Sequence, residues 1–184
     1  MNSLTRSALL GGLGFGLASL LVFATVAFGE RWMYTHLGLW GAYLAWTVLF
    51  IGLGGGALLP LVSAPWRGAR FFGLFALAFL LYSVGWGAAY FAQPNRLGEW
   101  LGSLVGSLVM GQVLVIGFKV RKAPFRLALI LFLANSAGYF LGSVLNDAFP
   151  RPMGMLLWGG LYGVCLGAGL GAVLHLAPKQ AAAL

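Results

Sequence analysis

Acidic side chains are nearly missing: Glu30, Glu99 and Asp147 are the only three in 184 residues. None lies deep within a long apolar run, so no carboxylate is expected deep in the fold. That leaves no paired acids for general acid–base work. It also leaves no ionisable group near a membrane midplane, where coupled transporters usually place one. Cysteine occurs once, at Cys165, which excludes a disulfide and a CxxC redox pair. His36 and His175 fall at opposite ends of apolar runs, too far apart to share a haem or a zinc ion. No HExxH, GxSxG or P-loop pattern is present. The residues therefore call for no metal and no cofactor. Charge of either sign is scarce, at 8% against about 25% in soluble domains, so a water-facing surface cannot be assembled.

What remains is apolar: 61% of the chain is hydrophobic, with 29 glycines. A bilayer core of roughly 30 Å needs about 20 helical residues. Six stretches meet that length: Ala8–Gly29, Leu37–Leu61, Phe71–Ala92, Leu97–Phe118, Phe125–Leu145 and Met153–Leu176. They are continuously apolar rather than alternating, which favours helices over a β-barrel. The expected fold is an all-α integral membrane protein in a single transmembrane domain, residues 1–184. Its six transmembrane helices would form three antiparallel hairpins, joined by loops too short to hold a soluble domain.

The net charge of +8 follows the positive-inside bias rather than a nucleic-acid surface. Arg6, Arg67, Arg70, Lys119, Arg121, Lys122, Arg126 and Lys179 occupy the N-terminus, the second and fourth loops and the C-terminal tail. In a six-helix chain these four places share one side, so both termini are expected in the cytoplasm, with the protein in the cell membrane. The run Lys119–Lys122 is suited to anionic lipid headgroups, at about 1 kcal/mol per cation. The first apolar run mimics a signal peptide but exceeds a usual h-region in length, which argues against cleavage.

An internal repeat is visible. The second, fourth and sixth helices open on Trp40, Trp100 and Trp158, spaced 60 and 58 residues apart. Comparing the first hairpin with the third adds Phe15/Phe132, Ser19/Ser136, Phe23/Phe140, Glu30/Asp147, Gly41/Gly159 and Pro60/Pro178. The tryptophans are expected in an outer aromatic belt, and Trp66 in an inner one. The sixth helix carries Gly159, Gly163, Gly167 and Gly171 at four-residue spacing, a glycine zipper along one face. Ser103, Ser107 and Gly111 repeat the spacing in the fourth helix; Gly12/Gly16, Gly52/Gly56 and Gly138/Gly142 repeat it elsewhere. Small residues let helix backbones approach in lipid, where the hydrophobic effect between helices is absent. Such stripes serve packing within one chain first, then contact with a second copy or a larger membrane complex.

Functional candidates are neutral. Tyr82 and Ser83 lie in the third helix, Gln112 in the fourth, and Asn135, Ser136 and Tyr139 in the fifth. An amide in hydrocarbon is costly without a partner. These side chains either bond helix to helix or line a polar site for a neutral solute. The hairpin tips carry an arginine near each acid: Glu30 with Arg31, Glu99 with Arg96 and Asp147 with Arg151. They either hold turns, as weak surface pairs do, or ring an external mouth. His36 beside Glu30 is the one catalytic pairing on offer. No residue pattern assigns the chain to a known family.

Three readings follow, in order. The first is binding or translocation (transport) of a small neutral or amphipathic solute without ion coupling. The alternative is a non-catalytic accessory or scaffold subunit of a larger membrane complex. Third is a lipid-modifying membrane enzyme. Membrane lipids are the expected partners in each; nucleic acid is not.

Overall fold

The computed structural model describes residues 3–62, 68–121 and 123–181. Trp66, Arg67 and Lys122 lie outside the described residues. Helix dominates and no strand occurs among the described residues. Five helical elements are long and apolar enough to cross a membrane. The first, Ser3–Leu61, contains α1 (Ser3–Leu49), a π-helical segment (Phe50–Gly54), α2 (Gly55–Leu58) and a 3₁₀ turn (Leu59–Leu61). The others are α3 (Ala69–Ala92), α4 (Arg96–Gly117), α5 (Pro124–Ala148) and α6 (Met153–Ala181). Their ranges lie within a few residues of the stretches expected from the sequence. Large apolar side chains face outward along them, among them Leu13, Leu17, Leu133 and Val144. A soluble monomer rarely exposes such a surface; hydrocarbon accepts it.

The first element corrects the expected loop at residues 30–36. That segment is helical: Thr35 Oγ1 donates to Arg31 O at 2.8 Å and His36 Nδ1 donates to Trp32 O at 2.8 Å. The break comes instead at Gly38, with φ 68° and ψ 179°, a left-handed conformation that favours glycine. Straight, 59 residues would extend roughly 88 Å, about three times a bilayer core. The arms on either side of Gly38 lie against each other instead. Phe15 stacks on Phe50 with ring centroids 5.9 Å apart, and Gly14 faces Ala57. We call residues 3–37 the outgoing arm and residues 39–61 the return arm.

Glycine sets the helix order. Gly159, Gly163, Gly167 and Gly171 of α6 face Phe23, Ser19 with Gly16, Gly11 with Phe15, and Ser7 with Ala8 on the outgoing arm. Gly138 and Gly142 seat α5 on Tyr162, Cys165 and Trp158 of α6. Gly111 seats α4 on Ala128 of α5, and Gly102 and Gly106 seat it on Trp86 and Tyr82 of α3. The ring of helices closes where Phe72 and Phe75 of α3 meet Gly55 on the return arm. Phe15, Phe75, Phe79 and Leu166 fill the centre.

The two ends of the bundle differ in charge. Glu30, Glu99 and Asp147 gather at one end; the other carries only cations, Arg6, Arg70, Lys119, Arg121, Arg126 and Lys179 among the described residues. Asn95 caps α4 at the acidic end, its side-chain oxygen accepting from Leu97 N and Gly98 N.

A Cβ on Gly167 would collide with Gly11 O, whereas nothing lies within 4 Å of one on exposed Gly52. Gly167→Leu is expected to cost about 1–3 kcal/mol by overpacking. Gly52→Ala is expected to be neutral or slightly stabilising, because alanine is the better helix former. Thermal unfolding in detergent checks both; an unchanged melting temperature for Gly167→Leu would remove this contact from the account.

Candidate functional site

A cavity of about 220 Å³ opens between the two arms of α1, α3, α5 and α6. Nine of its fourteen lining side chains are aromatic: Phe23, Tyr43, Trp46, Phe50, Phe79, Tyr82, Trp86, Tyr139 and Tyr162. Val22, Val26, Thr47, Ser83 and Gly87 complete the wall, and no charged residue contributes. Phe50 enters it at the start of the π-helical segment, where the extra residue per turn shifts side-chain register; such segments recur at functional sites. The cavity exceeds the ~150 Å³ apolar void that accepts a benzene.

Its seam lies between the return arm and α3. Phe50 and Phe79 stack across this seam at 5.3 Å. Toward the acidic end, Trp40 and Tyr43 meet Phe91 at 5.4 and 6.1 Å. Between those two layers stand Thr47, Ser83 and Gly87, which are short. Large outward-facing Leu44, Val48 and Val84 flank them.

Below the aromatic wall runs a closed hydrogen-bond chain. Tyr82 OH donates to Asn135 Oδ1 at 2.7 Å. With that proton committed, Tyr162 OH donates to Tyr82 OH at 3.0 Å. Asn135 Nδ2 donates to Ser103 Oγ at 2.8 Å, and Ser103 shares a 2.7 Å bond with Ser136. All five side chains are buried, Asn135 completely. The chain joins α3, α4, α5 and α6, and bonds in such a series polarise one another. A second link, from Ser19 Oγ to Gly159 O at 2.7 Å, ties the outgoing arm to α6.

The sequence-derived candidates thus separate. Tyr82, Ser83 and Tyr139 line the cavity. Asn135 and Ser136 sit in the chain behind it. Gln112 is half-buried elsewhere on α4 and makes no hydrogen bond among the described residues. The polar capacity facing the cavity is small. Ser83 Oγ donates to Phe79 O and Thr47 Oγ1 to Tyr43 O. Tyr139, half-buried, bonds to no described residue through its hydroxyl. A ligand here would meet aromatic faces and the free phenol of Tyr139, in a wall where the indole N–H groups of Trp46 and Trp86 also lack a partner among the described residues.

The tip charges do not belong to this site. Arg96 bridges Glu99 at 3.0 Å and lies over the Phe140 ring at 4.8 Å. Arg151 does not pair with its sequence neighbour Asp147; it reaches Glu30 at 2.7 Å. The reason is the close seating of α6 on the outgoing arm, which brings the start of α6 beside residue 30. Arg31 and Asp147 form no ion pair among the described residues. His36 stacks on Trp32 at 4.6 Å rather than on Glu30, which removes the catalytic pairing. Trp158 turns inward against Phe23 and Tyr139 instead of joining Trp40 and Trp100 at the surface. Trp46, Phe50, Trp86 and Tyr162 were not signalled by the sequence, in which aromatics make up 15% of all residues. No group of three or more histidine, cysteine, aspartate or glutamate side chains suited to a metal occurs among the described residues.

Asn135→Leu strands Tyr82 and Ser103 in a dry interior and is expected to cost about 1–3 kcal/mol. Ser107→Ala is expected to be neutral, because the buried Ser107 hydroxyl has no partner. Unfolding in detergent compares the two; equal losses would overturn the reading of Asn135 as the hub. The chain matches no protein-family model, no curated protein and no solved structure.

Proposed function

We infer that the protein binds a small neutral or amphipathic solute in the aromatic cavity and passes it within or across the membrane without ion coupling. The observation that carries this reading is an uncharged cavity with a mostly aromatic wall and one free hydroxyl, on a seam closed by short side chains. An occupant with a flat apolar body and one hydrogen-bonding group fits that lining. The lipid-facing seam favours arrival from the bilayer, where such a solute already partitions.

The same reading takes the chain as six spans in three antiparallel hairpins, with both termini in the cytoplasm. Contact between the arms of α1 supports it, as does the separation of acids from unpaired cations. The repeat draws support from two matching aromatic contacts. Phe23 packs on Trp158 at 5.8 Å and its counterpart Phe140 on Trp100 at 4.0 Å. One observation favours the accessory-subunit reading: Gly52 and Gly56 face outward on the return arm with nothing within 4 Å. The longer α6 stripe is consumed inside the chain.

The test uses 1-naphthol, neutral and aromatic with one hydroxyl. Its binding in detergent is read by quenching of tryptophan fluorescence, and its flux in proteoliposomes. A Cβ on Gly87 would meet nothing nearer than Phe91 at 3.9 Å, so Gly87→Leu can enter the cavity without displacing the backbone. It is expected to weaken binding about tenfold or more at an unchanged melting temperature. Tyr139→Phe, losing one hydrogen bond, is expected to weaken it roughly 2- to 10-fold. Absence of saturable binding, or equal binding by Gly87→Leu, would sink the proposal.

A further inference from the structure

A second concavity, of about 390 Å³, lies on the opposite side of the bundle between α4 and α5. Its walls are Leu104 and Leu108 of α4, and Ala128, Leu129 and Phe132 of α5, with Phe125 and Arg126 at its end. The lining is almost entirely apolar, and the exception is a cation. Arg126 is exposed and forms no ion pair among the described residues. It sits in the first turns of α5, just after the loop that carries exposed Lys119 and Arg121. No aspartate or glutamate side chain is placed to neutralise them: Glu30, Glu99 and Asp147 all lie at the other end of the bundle. An apolar trough one helix-pair wide, running along the bundle and ending in unpaired cations, is complementary to an acyl chain ending in a phosphate.

We propose that this groove holds one anionic phospholipid. Its phosphate pairs with Arg126, backed by Lys119 and Arg121, and an acyl chain lies along Leu104, Leu108, Leu129 and Phe132. A guanidinium suits this role, because it binds a phosphate in bidentate fashion at the membrane interface. The site is separate from the aromatic cavity, with which it shares no residue, and does not depend on what that cavity binds.

Delipidated protein in detergent is titrated with dioleoylphosphatidylglycerol, dioleoylphosphatidylcholine or inorganic phosphate, and bound lipid is counted by native mass spectrometry. Wild type is expected to hold the glycerol lipid about tenfold more tightly than the choline lipid. Arg126→Gln should abolish that preference. Leu104→Trp, which narrows the groove, should weaken both lipids. Arg70→Gln removes an exposed cation from the same end but not from the groove, and should change nothing. Gly87→Leu should leave lipid retention intact even where it abolishes solute binding. Equal retention of the two lipids would overturn the proposal. So would an effect of Arg70→Gln as large as that of Arg126→Gln, which would signal diffuse attraction to the cationic end. Displacement of lipid by millimolar inorganic phosphate would also overturn it.

Discussion

The rest of the structure depends on the contact between α6 and the outgoing arm of α1. Apolar side chains gain little from leaving lipid for a helix interface, so the bundle needs another source of cohesion. Gly159, Gly163, Gly167 and Gly171 supply it by letting two backbones meet over more than three turns. That contact also fixes the rotation of α6 about its own axis. With the glycine face committed to the outgoing arm, Tyr162, Leu166, Leu170 and Val173 point into the bundle. Tyr162 then reaches Tyr82. The Arg151–Glu30 bridge is a result of the same docking rather than its cause, since an exposed pair contributes little.

Polar side chains divide into two sets with opposite characters. The chain from Tyr162 through Tyr82 and Asn135 to Ser103 and Ser136 gives each of its side-chain polar atoms a partner, and such a buried network rigidifies what it joins. Tyr82 belongs to both sets. Its hydroxyl is held in the chain while its ring forms cavity wall, so one face of the cavity is pinned across four helices. The opposite face rests on the return arm, which carries a π-helical segment and three consecutive glycines. A fixed wall opposite a softer one is suited to an occupant of variable shape.

Composition and length made the long helices legible, because hydrocarbon imposes both. The ranges 71–92, 97–118, 125–145 and 153–176 fall close to α3 through α6. The reversal at Gly38 was not legible. Glutamate, arginine, tryptophan and histidine in residues 30–36 resemble a polar loop, yet their side chains and backbone continue the helix from the membrane interface. Site residues were half legible. Tyr82, Ser83 and Tyr139 stand out as polar groups in apolar runs, and they line the cavity. Asn135 stands out on the same ground but lies behind it, because an amide in hydrocarbon is worth most where both its ends are bonded. Nothing in a list of residue types distinguishes a group that closes a network from one left open. The Arg151–Glu30 pairing was hidden for a simpler reason: its partners are 121 residues apart, and proximity in sequence pointed to Asp147.

The single left-handed residue at Gly38 ties the angular phase of two long helices together. A longer connection would let each arm rotate to suit its own neighbours. Here the return arm inherits its orientation from the outgoing arm, whose orientation α6 has already set. Each residue of a helix advances the phase by about 100°. Adding or losing one position near residue 38 would therefore swing Tyr43, Trp46 and Phe50 together toward lipid. The face of the cavity that looks softest is thus set by a remote glycine stripe, transmitted through a reversal with no slack in it. An inserted or deleted residue would disturb the cavity least at the other connections, which transmit no such phase.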